Sequence, residues 1–145
     1  MNNKSESLKE KLKQALSSTA RVISDDFNSK SKEKSEKNKS KLEFFELDNL
    51  NNKNDFLKAR ADSDSKALKK KFSNDLIFKK NLPSNSSYRS LYTIAEKIRY
   101  EGLGSKMLKG IEKNLRDNYI QSNILKRKDQ LKSKDDVSVS EAFEL

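Results

Sequence analysis

The spacing of apolar residues predicts a mainly helical chain that begins with an N-terminal helix in residues 1–28. Leucine and isoleucine recur there at helical intervals, at Leu8, Leu12, Leu16 and Ile23. Ser7, followed three residues later by Glu10, has the spacing of a capping box, in which each side chain accepts a hydrogen bond from a free backbone N–H. The first predicted helix therefore runs from about Ser7 to Ile23.

A second helix is predicted from Asn51 to Phe72, inside a helical domain that spans residues 42–125. Its apolar face consists of Leu57, Ala61, Leu68 and Phe72, and Asn54 is the candidate N-cap. Pro83 then stops helical structure, because proline disfavours a helical conformation in the residue before it. Serine and asparagine at residues 84–86 are suited to cap the helix that follows.

Residues 84–120 are predicted to form an antiparallel helical hairpin. The first apolar stripe consists of Tyr88, Leu91, Ala95, Ile98 and Gly102, and the second of Met107, Leu108, Ile111, Leu115 and Tyr119. Residues 102–104 read Gly-Leu-Gly and interrupt the pattern. A connection this short makes the two helices pack as antiparallel neighbours.

Three positions beside these stripes predict a contact inside the hairpin. Arg99 lies four residues after Ala95, and Asn114 lies three residues after Ile111, so both fall on or beside the apolar face. We predict that Arg99 and Asn114 meet across the hairpin beside Gly110, which lets the helices approach closely. The alternative is that both side chains flank the stripe and reach solvent.

Two lysine-rich stretches interrupt the helical pattern. Residues 29–41 contain six lysines and no apolar residue, which predicts a disordered basic linker. The segment that follows, residues 42–47, is apolar enough to be a short strand or the edge of a helix, and both remain open. Residues 126–136 are predicted to be a second charged linker, and residues 137–145 the start of a truncated helix, with Ser138 and Glu141 at capping-box spacing.

Composition limits the chemistry of the chain. Only 32% of the 145 residues are hydrophobic, which predicts one modest core with solvated segments around it. Cysteine and histidine are absent and the three glycines form no phosphate-binding loop, so thiol catalysis, a serine triad and motif-based nucleotide binding are excluded. The Asp-Ser-Asp-Ser run at residues 62–65 is interpreted as solvated helix positions and not as a metal loop. We therefore expect this chain to have no catalytic residue, no metal site and no bound cofactor.

The net charge of +10 is typical of proteins that bind nucleic acid or an anionic surface. The chain is rich in Asn, Lys, Ser and Ile and has only three glycines and one proline, a composition that an AT-rich genome imposes on all its proteins. We favour this explanation of the positive net charge. Residues 29–41 offer no aromatic side chain on which a base could stack. Only non-specific nucleic-acid binding is expected. No apolar run approaches the roughly 18 residues of a membrane span, so a cytoplasmic protein without membrane contact is predicted.

Eight positions of the hairpin, several of them polar or glycine, form a succession that amphipathicity alone does not explain. They are Glu96, Arg99, Glu101, Gly104, Met107, Gly110, Asn114 and Leu115. This succession resembles the N-terminal region of the T subunit (CobT) of aerobic cobaltochelatase. The similarity reaches more loosely to the first helix and to residues 139–145, and it is poor between residues 24 and 81.

The resemblance implies a supporting role. In that family the T subunit pairs with an AAA+ ATPase subunit, and the assembly drives cobalt insertion into a hydrogenobyrinate-type corrin ring by a separate large catalytic subunit. The complex uses ATP, magnesium and cobalt, and this chain is expected to bind none of them. The family's acidic linker and its C-terminal von Willebrand A-type domain, with a D-x-S-x-S metal site, have no counterpart in this sequence. A product that is truncated, split or retained for another purpose would each explain this difference, and all three remain open.

The leading hypothesis is a non-catalytic module that supports cobalt insertion in cobalamin biosynthesis by binding partner subunits through its hairpin. The eight matched positions are then its partner-binding or family-motif residues. One alternative is a basic nucleic-acid-associated protein that uses residues 30–41 and 126–134. The other is a degenerate remnant without chelatase function.

Overall fold

The computed structural model describes residues 2–25, 52–129, 133 and 137–144, which form six helices and no strand. The helices are α1 (Asn2–Ile23), α2 (Lys53–Phe72), α3 (Asp75–Lys80), α4 (Ser86–Met107), α5 (Lys109–Asp129) and α6 (Val139–Glu144). The predicted mainly helical fold is confirmed. The linker predicted at 29–41 and the open choice between strand and helix edge at 42–47 lie outside the described residues.

Asparagine side chains cap the helices on either side of the proline. Asn52 accepts a hydrogen bond from the backbone N–H of Asp55 at 2.9 Å, and the Asp55 carboxylate accepts from the Asn52 N–H at 3.3 Å. The N-cap of α2 is therefore Asn52 and not Asn54, because the Asn52 backbone is extended and its side chain reaches the first turn. Asn85 caps α4 in the same way, as the restart after Pro83 predicts.

Two helix ends differ from the sequence-based expectation. Helix α1 begins at Asn2, so Ser7 lies inside it and the capping box predicted for Ser7 is wrong. Helix α5 extends to Asp129, into the stretch predicted to be a charged linker from residue 126. At the other end of that stretch, α6 begins as predicted, with the Ser138 hydroxyl accepting a hydrogen bond from the backbone N–H of Glu141 at 3.2 Å.

Helix α2 is the central element, since it packs against α1, α4 and α5. Its buried residues are mostly small or polar: Ala59, Ala61, Ser63, Asp64, Ala67 and Leu68. Small side chains let neighbouring helices approach α2 from several sides, because the distance between packed helices depends on the side chains at the contact. The core around it contains Ala20, Ile23, Leu68, Tyr100, Ile111 and Leu115.

Helices α4 and α5 fold back on each other, but the turn is not where the glycines lie. Helix α4 continues through residues 102–104, and the break comes at Leu108. Lys97 and Tyr119 are the same number of residues before and after Leu108, and the Lys97 ammonium lies 5.1 Å from the centre of the Tyr119 ring. A contact so far from the connection requires the two helices to run alongside each other.

The apolar stripe predicted on α4 is not the face of that helix that is buried. Tyr88 and Ile98 of the predicted stripe are 64% and 44% exposed. The buried residues of α4 are instead Tyr100, Glu101 and Gly104. The face was misassigned because a glutamate and a glycine, which give no apolar signal, are two of its three buried residues. On α5, Ile111 and Leu115 are buried as the pattern predicts.

Candidate functional site

The candidate site is the contact region between α2, α4 and α5, which contains most of the eight matched positions. At its outer end, Arg99 of α4 donates two hydrogen bonds to the Glu96 carboxylate, at 2.7 and 2.8 Å. A further bond from Arg99, of 2.7 Å, reaches the backbone carbonyl of Phe72, the last residue of α2. The hydroxyl of Ser73 donates to Glu96 at 2.6 Å. Arg99 caps the C-terminus of α2, whose last carbonyls have no partner within the helix, and Glu96 holds the guanidinium in place.

The positive charge of Arg99 fits its place at the C-terminus of α2. The Arg99 hydrogen bonds hold the pKa of the Glu96 carboxyl below its ordinary value. A guanidinium at a helix C-terminus also faces the negative end of the helix dipole, which is favourable. The Arg99 side chain is 46% exposed, so solvent screens much of this interaction and the cluster positions α4 more than it stabilises the fold.

A second cluster is centred on Glu101, which is only 6% exposed. Its carboxylate accepts hydrogen bonds from the Ser65 hydroxyl of α2 at 2.5 Å and from the Tyr119 hydroxyl of α5 at 2.9 Å. A buried carboxylate needs such donors, because losing its hydration is costly. Burial is also the main cause that raises the pKa of Tyr119 to about 12, so its hydroxyl keeps its proton and donates. Glu101 thus connects three helices through one side chain.

The third contact joins α2 directly to α5. The side-chain amide of Asn114 donates a 2.7 Å hydrogen bond to the carboxylate of Asp64, which is 2% exposed. Burial raises the pKa of Asp64, although the Asn114 hydrogen bond and the charge of Arg60 act in the opposite direction. Asp64 is therefore a buried acid held by an amide, and its contact fixes the register between α2 and α5.

The three glycines differ in their surroundings. A Cβ atom added to Gly104 would collide with the side chain of Leu68, whose Cγ would be only 2.9 Å away. Gly104 therefore brings α4 close to α2. A Cβ atom at Gly110 or Gly102 would meet nothing within 4 Å. The close approach predicted at Gly110 is wrong, because Gly110 faces away from the neighbouring helices.

The predicted meeting of Arg99 and Asn114 across the hairpin is also wrong. Arg99 reaches the end of α2 at Phe72, whereas Asn114 reaches Asp64 in the middle of α2. Both side chains therefore turn to a third helix that the hairpin pattern did not include. The physical reason is that α2 packs against both arms of the hairpin and supplies the polar partners.

The structure divides the eight matched positions into two groups. Six lie against α2 or in the core: Glu96, Arg99, Glu101, Gly104, Asn114 and Leu115. The other two, Met107 and Gly110, are exposed where α4 meets α5, and Met107 is 55% exposed. Partner binding by these positions stays a prediction.

Sequence reasoning missed the α2 side of this surface. Ser63 and Asp64 were interpreted as solvated, yet both are 2% exposed, and Ser65 bonds to Glu101. The signal available was weak: this polar run is flanked at helical spacing by Ala59 and Ala67, which are small enough for a buried helix. No three metal-ligating side chains lie together among the described residues, and no described helix is both long enough and apolar enough to cross a membrane.

A family model for "Cobalamin biosynthesis protein CobT" matches residues 6–145. The chain belongs to the CobT family. Membership supports a role in cobalamin biosynthesis and agrees with the resemblance carried by the hairpin. No curated protein and no solved structure matches the chain.

Proposed function

We propose that this CobT-family chain is a non-catalytic helical module that supports cobalt insertion into a corrin ring by binding other subunits of cobaltochelatase. The partners are the AAA+ ATPase subunit and the large catalytic subunit, and the complex works in the cytoplasm. The observation that carries the proposal is the family match over residues 6–145.

The arrangement of polar groups supports a binding module. Glu101 accepts from Ser65 and Tyr119, and Asp64 accepts from Asn114. These carboxylates are occupied by donors of the same chain, so their role is to hold α4 and α5 on α2. A hairpin fixed in this way presents a rigid outer surface, which lowers the entropic cost of binding a partner.

The proposal assigns ATP, magnesium and cobalt to the other subunits of the complex. Within this chain, two side chains of the Asp-Ser-Asp-Ser run of α2 are used by the fold, since Asp64 bonds to Asn114 and Ser65 bonds to Glu101. Titration of the full chain with Co²⁺, Mg²⁺ or ATP is expected to show no saturable site tighter than about 10 μM, equivalent to about 7 kcal/mol.

The direct test is complex formation. The full chain is mixed with the ATPase subunit, with and without the large catalytic subunit, and the mass of each species is measured by size-exclusion chromatography with light scattering. A defined complex with the ATPase subunit is expected. If this chain elutes alone in every mixture, at concentrations well above about 10 μM, the proposed function is wrong.

A further inference from the structure

An exposed apolar patch lies where α4 meets α5, and we name it the corner patch. It consists of Leu103, Met107 and Leu108, which are 39%, 55% and 47% exposed. Leu103 and Met107 are four residues apart on α4, so they lie on one face, and Leu108 is the C-cap of the same helix. The three exposed side chains therefore lie near one another at the tip of the hairpin.

Met107 continues the buried face of α4 beyond the core. It lies three residues after Gly104 and seven after Tyr100, both of which are buried, and seven residues fall only about 20° short of two full helical turns. The same face is thus covered by other helices at Tyr100 and Gly104 and open at Met107. An apolar face that continues past its covering is typical of a surface that a further element covers.

Exposed lysines flank the corner patch along the chain. Lys106, Lys109 and Lys113 are exposed, and among the described residues none of their side chains has a hydrogen-bond or ion-pair partner. Lys109 and Lys113 lie on one face of α5, directly after Leu108. The nearby acid Glu112 is paired with Arg116, at 3.8 Å. The patch therefore has an apolar centre and a positively charged rim.

We propose that the corner patch binds an acidic amphipathic helix of a partner subunit, an inference that rests on the proposed function. The apolar face of that helix covers Met107, and its carboxylates face the lysine rim, as in helix-in-groove recognition with complementary charge. A second copy of this chain is a poor occupant, because each copy carries a net charge of +10 and the two rims repel. Nucleic acid would use the lysines but gains nothing from an aliphatic centre.

The test compares two variants with the same change of charge. Met107→Glu places a negative charge in the corner patch, while Leu76→Glu places one on α3, at a side chain that is 81% exposed. Binding of the full chain to the AAA+ ATPase subunit is measured by isothermal titration. Met107→Glu should weaken binding by at least about tenfold, whereas Leu76→Glu and the conservative Met107→Leu should stay within about twofold of the wild type. Thermal unfolding of each variant checks that the fold is kept.

The lysine rim gives a second readout. Lys106→Glu with Lys109→Glu should weaken binding and reduce its dependence on salt, because complementary charges are screened as ionic strength rises. If Met107→Glu binds as tightly as Leu76→Glu, the corner patch is not the interface, although the proposed function stands. If the wild-type chain does not bind the ATPase subunit, the proposed function and this inference fail together. If duplex DNA binds the wild type and Met107→Glu abolishes that binding, the occupant is nucleic acid and the inference is wrong.

Discussion

The three glycines give a sharp test of the packing, because the same substitution to alanine should be less favourable at a packed position than at an open one. None of them has a positive φ, so alanine introduces no backbone strain at any of the three. Replacing glycine by alanine inside a helix stabilises by about 0.5–1 kcal/mol through the lower entropy of the unfolded chain. Gly102→Ala should show this gain, since nothing lies within 4 Å of the added methyl group.

Gly104→Ala should destabilise the protein relative to Gly102→Ala. The added methyl group collides with Leu68, which is 1% exposed and would have to shift inside the core. Overpacking of this kind costs typically about 1–3 kcal/mol. The helix-propensity gain is common to both variants, so the difference in the free energy of unfolding between Gly104→Ala and Gly102→Ala isolates the overpacking cost of about 1–3 kcal/mol.

Urea denaturation of the full chain, followed by far-UV circular dichroism, measures these differences. Gly110→Ala is a second control, with a smaller gain expected because Gly110 lies in the first turn of α5. A double-mutant cycle with Leu68→Ala adds a direct check, since removing Leu68 should relieve the collision and make Gly104→Ala less harmful. If Gly104→Ala is as stable as Gly102→Ala, the close approach of α4 to α2 at this position is wrong.

Three further predictions follow from the polar clusters. Asp64 has a raised pKa, so the folded state holds its proton more tightly than the unfolded state and stability falls as pH rises above the ordinary value of 3.8. Asp64→Asn should flatten this fall in urea-denaturation curves against pH, and an unchanged pH profile would refute the burial of Asp64. Tyr119→Phe leaves Glu101 with one donor fewer and should cost about 1–3 kcal/mol in thermal unfolding; a neutral effect would contradict the contact. The changes in the free energy of unfolding caused by Arg99→Ala and by Asn114→Ala should be additive to within about 0.5 kcal/mol, because the two side chains bond to separate parts of α2. A larger coupling energy would indicate that Arg99 and Asn114 contact each other directly.

The mainly helical fold could be predicted from the sequence, but the choice of buried face could not be predicted for α4. Large apolar side chains at Tyr88 and Ile98 outweigh Glu101 and Gly104 in any periodicity count, yet the latter two are buried. Glu101 is stable there because Ser65 and Tyr119 donate to it, and they lie 36 and 18 residues away along the chain. Hydrogen bonds between residues so far apart in the sequence leave no local pattern from which the burial of Glu101 could be predicted.

The central position of α2 in the fold could not be predicted from the sequence either. Its small buried residues, such as Ala59 and Ala67, give little hydrophobic signal, and its Lys-rich surface suggests a solvated helix. The matched positions on α4 and α5 could be listed from the sequence. Their partners could not be predicted, because Asp64 and Ser65 are polar and only the packing of α2 against both arms of the hairpin buries them.

Hydrogen exchange of this chain, measured alone and with the ATPase subunit, shows directly whether the hairpin binds this partner. Local protection reports both whether a partner binds and where it binds. Slower exchange is expected around residues 103–113 in the complex, with little change in α2 at Asp64 and Ser65, whose contacts are internal. Identical exchange with and without the ATPase subunit, or protection confined to another surface, would contradict a partner-binding module that acts through its hairpin.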